Sequence, residues 1–170
     1  VIYAIKSLKL SFPNYINYII KPNLSNTEKM CLAANLSGKA ISISKTTAPH
    51  ALPYPFTAHF GINHGHAVSL TLNDFLKFNY KNINYSDCNF DLNERYKILF
   101  RLTKTKNINE LDLFIKKIKR EAKLEDSYKK LGININKSYP LILKGVNLLR
   151  LSNNPIKLKV SDLKSIFNIK

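Results

Sequence analysis

The stretch HALPYPFTAHFGINHGH, residues 50–66, contains all four histidines of a 170-residue chain. Imidazoles gathered this closely raise the question of a metal. His50 and His64 are fourteen residues apart, and on one unbroken helix they would share a face but stand about 21 Å apart along it. An ion that takes both must lie within about 2.1 Å of each ring nitrogen, so the chain has to turn back between them. Pro53 and Pro55 disturb a first helix, and FGIN at 60–63 ends it. A second helix beginning in NHGHAVSLTLNDFL then places His50 on one element and His64 at the start of the next. His66 is two residues after His64 and cannot face the same way on a helix. His59, nine residues after His50, points opposite it, so two or three of the four can converge. On spacing alone, both a metal pair and a set of ordinary core or surface histidines stay open.

The elements that must hold these rings are helical nearly throughout. SNTE at 25–28 has the form of a capping box, Ser25 with Glu28, ahead of KMCLAANLSGKAISIS, and DLNE at 91–94 repeats the device before RYKILFRLTK. In NELDLFIKKIKREA, Leu111, Phe114, Ile115, Ile118 and Ala122 recur at helical spacing and form one apolar stripe that must pack on a core. Gly132 after YKKL is an expected helix cap, SNNP at 152–155 a loop, and a last short helix should start near Ser161. Strand signals are thin: GININ at 132–136 alternates briefly, and PIKLKV is at most an isolated extended piece. The expected class is all-α, in one helical domain over residues 1–170.

Composition narrows the function. Hydrophobic residues make up 45% of the chain, and no apolar run has the length of a membrane span. The net charge of +16 invites a nucleic-acid reading. Against it, only Arg95, Arg101, Arg120 and Arg150 among the 27 basic residues are arginines. The lysines sit singly or in pairs on helical outer faces, beside abundant Asn and Ile, as in a codon-biased, AT-rich coding sequence. No aromatic-interleaved basic ribbon occurs, so neither nucleic acid nor membrane is the expected partner. Cys31 and Cys88 are far apart and form no CxxC pair, which fits a reducing cytoplasm. The opening VIYAIKSLKL has neither an initiator Met nor a secretory pattern and reads as a piece that begins inside a helix. The five glycines form no phosphate-binding loop of the GxGxxG or GxxxxGK kind.

GKAISISKTTAPHALPYPFTAHFGINHGHAVSLTL resembles the metal-binding segment of the iron-containing (group III) alcohol dehydrogenases. That pattern has a helix ending in a ligand His, then Pro and an aromatic, then Gly, and a second ligand His before Gly. AIKSLKLSFPN and RLSNNPIKL extend the resemblance to nearly the whole chain, and SKTTAPHALPYPFT resembles the phosphonoacetaldehyde reductase branch. The resemblance implies the C-terminal helical domain of a two-domain enzyme, in the dehydroquinate synthase-like fold, whose N-terminal nucleotide-binding domain lies outside this chain. It implies a divalent metal, Fe or Zn, with His50 and His64 as two ligands, NAD or NADP as hydride donor, and an aldehyde or alcohol substrate. A homodimer is compatible with it. The family's Asp ligand would fall two residues before Val1, and its third His position falls on Tyr3, a departure from the pattern. No residue of this chain is assigned as catalytic, and no cofactor-binding residue is assigned.

Lys45, five residues before His50, could hold an anionic substrate group such as a phosphonate, or simply snorkel at a helix edge. Tyr54 could line the substrate pocket or be buried between helices with its hydroxyl satisfied. His66 reads as a proton relay or a solvated helix position, and Glu125 with Asp126 as a solvated face. Two other functions compete with the dehydrogenase: a dehydroquinate synthase-like lyase, which carries Glu where this chain has His66, and a small basic helical protein that binds RNA or serves as a structural subunit.

Overall fold

The computed structural model describes residues 1–169, and within them the regular structure is helical, with no strand. Helices α1 (Ile2–Ile20) and α2 (Leu24–Ser44) form a long hairpin. Small residues let them approach: Ser7 and Ala33 are both buried where they meet, and the Ser7 hydroxyl donates to the Ala33 carbonyl at 2.7 Å. The helix α2 start differs from the expected SNTE box. Asn23 is the cap, exchanging side-chain bonds with Asn26 at 2.9 and 3.0 Å, so the box lies two residues upstream of Ser25 and Glu28. An Asn side chain can replace the Ser and the Glu of the usual box because its amide oxygen accepts from a backbone N–H as a hydroxyl or carboxylate oxygen does.

After two short helices, α3 (Ala48–Ala51) and α4 (Pro53–Phe60), the long α5 (His64–Lys81) runs through the centre of the molecule. A 3-10 turn at Ile83–Tyr85 leads to α6 (Leu92–Thr103) and α7 (Ile108–Glu121). Asp91 caps α6 by accepting from the Glu94 amide at 3.1 Å, but the Glu94 carboxylate pairs with Lys97 at 2.6 Å. Half of the expected DLNE box is therefore formed. The apolar stripe of α7 packs as its spacing requires, with Leu111 buried and Phe114 edge-on to Phe12 of α1 at 5.2 Å. At the end of α7, Glu121 accepts a short hydrogen bond from Tyr15 of α1. Burial and that carboxylate push the Tyr15 phenol up to about 12.

The chain closes with α8 (Ile135–Lys144), α9 (Leu148–Leu151) and α10 (Val160–Ile166). GININ forms no strand, because Asn134 caps α8 by accepting from the Lys137 amide at 3.1 Å. Gly132 does adopt the left-handed conformation, at φ 74°, yet it closes a turn at residues 128–132 and not a helix. Glu125 and Asp126 are also not a plain solvated face. The buried Lys119 reaches Asp126 at 2.9 Å, and Glu125 pairs with Lys130 at 3.5 Å.

The main core collects Leu52 and Phe56 from the histidine segment, Ala67, Leu70 and Phe75 from α5, and Ile142, Leu163 and Phe167 from the C-terminal part. A smaller cluster of Leu92, Tyr96 and Ile156 lies against the other end of α5, where the Tyr96 hydroxyl donates to the Leu76 carbonyl at 2.8 Å. Buried Asn79 and Asn154 exchange amide bonds at 2.8 and 3.3 Å, which anchors the SNNP loop to α5.

Helices α4 and α8 meet where Gly145 lies against Pro55. A Cβ at Gly145 would come within 2.7 Å of the Pro55 ring, which is buried and rigid. We expect Gly145→Ala to lower stability by about 1–3 kcal/mol through overpacking, read as a lower urea midpoint with an unchanged m-value.

Candidate metal centre

The histidine segment reverses direction through a sequence of local devices. Helix α2 stops at Ser44 because Lys45 takes a left-handed φ of 62°. Pro49 then restricts Ala48 and lacks an N–H, so the next helix is a single new turn, α3, and not the end of a long one. His50 sits on that turn, with its amide donating to the Thr47 carbonyl at 2.9 Å. As expected, the helix that carries His50 does not continue through Pro53 and Pro55: α3 ends at Ala51 and a new helix begins at Pro53. The two prolines occupy the start of α4, where a missing N–H costs no hydrogen bond. Gly61 ends α4 in the left-handed conformation, φ 66°, and α5 begins at His64.

The outcome is that His50 and His64, on different helices, face each other with ring centroids 5.8 Å apart. A centroid lies about 3.2 Å from an ion bound through a ring nitrogen, so two rings on one tetrahedral ion have centroids about 5.3 Å apart. The observed separation is close to that value. Burial, then repulsion from His64 and Arg150, lowers the His50 pKa below the ordinary histidine value. A neutral ring is the form that can donate a lone pair to a metal. Among the described residues, no group of three or more His, Cys, Asp or Glu converges, so the pair offers half of a four-ligand shell. Tyr3, at the third His position of the resemblance, stands 39% exposed on the first turn of α1. It is not among the rings that contact His50 or His64.

The remaining candidates divide. Tyr54 is 41% exposed, with its ring 6.1 Å from that of His64, so it borders the pair and is not buried between helices. Lys45 is exposed on the wall of a groove of about 590 Å³ between the end of α2 and α9. His59 is exposed near the end of α4. His66 points away from the pair, its Nε2 lying 2.7 Å from the Glu125 carbonyl oxygen. That contact makes it a half-buried structural tie between α5 and the segment after α7, and not a solvated position.

One residue of the site escapes the sequence reading. Arg150, on α9, lines the same groove as Lys45, and its guanidinium carbon lies 5.3 Å from the Tyr54 ring centroid. Its place is set by two hydrogen bonds to the histidine segment: the Asn147 backbone amide donates to the Ala51 carbonyl at 2.9 Å, and the Asn153 side chain donates to the Thr46 carbonyl at 3.2 Å. The signal available in the sequence was its rarity, an arginine in a chain whose cations are mostly lysine.

The family model for the Fe-containing alcohol dehydrogenase family, C-terminal, matches residues 2–169. A phosphonoacetaldehyde reductase of Streptomyces viridochromogenes is 44% identical over 48 residues, 28% of this chain and 12% of that protein. Among solved structures, an archaeal halo-thermophilic Red Sea brine pool alcohol dehydrogenase superposes with a TM-score of 0.83 at 21% identity, covering 98% of this chain and 43% of that one. The sulfoacetaldehyde reductase of Bifidobacterium kashiwanohense, solved with NAD+, superposes with a TM-score of 0.79 at 24% identity, covering 98% of this chain and 42% of that one. The chain thus spans less than half the length of the solved structures it matches.

The electrostatics of the pair can be checked directly. His50 should titrate below the ordinary histidine range in a proton–nitrogen correlation series. His64→Ala should raise its pKa more than Arg150→Gln does, because His64 is the larger of the two repulsions. No movement in either variant would mean that burial alone sets it.

Proposed function

This chain belongs to the Fe-containing alcohol dehydrogenase family, as its C-terminal helical part, and we propose that it serves a metal-dependent, NAD(P)-linked reductase of an aldehyde that carries an anionic group. The approach of His50 and His64 across the turn is the observation that carries this reading. In the proposal they supply two ligands to one divalent ion, Fe or Zn, and the remaining ligands come from outside these residues. Imidazole suits either metal. A divalent ion held there would polarise the substrate carbonyl and stabilise the developing alkoxide while hydride arrives from the nicotinamide.

The chain's own contributions are binding and orientation. Burial and the neighbouring His64 and Arg150 push His50 toward the neutral form, whose lone pair is available to a metal, and Tyr54 closes one side of the pair. Lys45 offers a cation at the groove wall to an anionic substrate tail. Phosphonoacetaldehyde is our candidate substrate, supported by the match to the Streptomyces reductase. The nicotinamide is proposed to bind chiefly on an N-terminal nucleotide-binding domain, since the five glycines here make no phosphate loop. No helix of the described residues is long and apolar enough to cross a membrane. Cys31 and Cys88 are free thiols, which suits the cytoplasm as the proposed compartment. No observation favours the lyase or the nucleic-acid reading over this one.

Titrating zinc or ferrous ion into the 170-residue chain should give weak binding that His64→Ala abolishes. NADH with a test aldehyde should give no turnover. Robust reduction by this chain alone would overturn the division of labour, and metal binding unchanged in His64→Ala would overturn the metal site. In the complete protein, Lys45→Ala should raise KM several-fold more for a phosphonate-bearing aldehyde than for an uncharged one, because a charge-assisted hydrogen bond is lost.

A further inference from the structure

Arg150 is the arginine that reaches the histidine pair, its guanidinium carbon 5.3 Å from the centroid of the Tyr54 ring, which in turn lies 6.1 Å from that of His64. Every ion pair among the described residues is made by a lysine, and no carboxylate pairs with Arg150. The groove it lines contains no Asp or Glu. The polar side chains nearby are largely committed, with Ser152 donating to the Leu149 carbonyl at 2.9 Å and Asn153 donating to Thr46. That leaves Arg150 and Lys45 as the groove's charged donors. The guanidinium rests against the Tyr54 ring, an arrangement that restrains the side chain through its stem and charge while leaving edge N–H groups to meet a ligand. Tyr54 is also the neighbour of His64, so guanidinium and imidazole flank one ring. A cation at this position weakens the pair's attraction for a bare metal ion and strengthens it for an anion alongside.

We propose that Arg150, held against Tyr54, is the specificity-determining anchor for a tetrahedral oxyanion, phosphonate or sulfonate, on the short aldehyde substrate, with Lys45 as the opposing arm. This rests on the reductase reading above and adds to it the group that selects the substrate class. The planar fork can take two oxygens of one oxyanion, which a lysine cannot do in fixed geometry. Tyr54 is the positioning residue: it acts on the substrate through the orientation of Arg150.

The test is a nitrogen-15 NMR titration of the 170-residue chain with 2-hydroxyethylphosphonate and isethionate, the alcohols such aldehydes would give, against 1-propanol as uncharged control and ADP-ribose as the competing source of phosphate. We expect both anions to shift the Arg150 Nε–H signal and 1-propanol to leave it in place. Arg150→Gln should raise Kd for the anions by about tenfold or more, with Arg150→Lys intermediate. Tyr54→Phe should bind as the parent does, whereas Tyr54→Ala should bind several-fold more weakly, with unchanged circular dichroism in every variant. The proposal is overturned by unchanged anion affinity in Arg150→Gln, by no binding at millimolar concentrations, or by ADP-ribose binding at Arg150 more tightly than either anion. Loss of metal binding in the zinc titration, with anion binding at Arg150 intact, would remove the metal reading and leave the anchor standing.

Discussion

The chain must reverse direction between His50 and His64, and the rest of the site depends on how that reversal is fixed. Two imidazoles fourteen residues apart can meet only if the intervening segment folds into something shorter than a helix and rigid enough to hold. Helix α4 does this with proline at its start, a left-handed glycine at its end, and one anchor in the middle. Phe56 is fully buried, stacks on Tyr128 at 5.8 Å with a 15° interplanar angle, and touches Phe167 at 6.2 Å. The reversal is therefore clamped by side chains from the far end of the chain, and α4 cannot straighten without opening the main core.

The histidine segment also accounts for why α9 belongs to the site. It is only four residues long and carries little packing of its own, with Leu148 and Leu149 exposed. Its position comes from hydrogen bonds to the histidine segment, through Ala51 and Thr46, and from Asn147, which caps it by accepting from the Arg150 amide at 3.0 Å. Those bonds place Arg150 beside Tyr54. A short helix held by hydrogen bonds at both ends can present one side chain in a fixed direction, as a loop of the same length would not.

The lysine-rich composition sets the background against which this placement has meaning. Among the described residues seven lysines pair with acids, mostly on helix surfaces, where each exposed pair contributes at most about 1 kcal/mol. Charge spread in that way says little about function. Charge gathered where no acid opposes it, on the walls of a groove whose Arg150 rests on the ring beside His64, is a different arrangement although it is made from the same residue types.

Much was legible in the sequence because local rules write it there. The 3.6-residue spacing of Leu111, Phe114, Ile115 and Ile118 fixed the inner face of α7, and the fourteen-residue gap with its prolines and Gly61 required that His50 and His64 sit on separate elements. The family resemblance rested on the same segment, and the family match over residues 2–169 agrees with it. Where local signals had equivalents, the reading shifted: Asn23 caps α2 in place of Ser25, since several short polar side chains cap equally well and only the packing of the α1–α2 hairpin chooses among them. Contacts between distant segments could not be read at all. The tie from His66 to the Glu125 carbonyl joins residues 59 apart in sequence, and no periodicity encodes it. Arg150 reaches Tyr54 only because α9 docks on α3, through bonds from Asn147 and Asn153 that compete with many other partners in an unfolded chain. Sequence by itself determined most of the helices, the turn and the two histidines that meet across it. The neighbours of those residues were decided by the tertiary structure, because burial and hydrogen bonding across long separations depend on the whole packed arrangement and not on any local pattern.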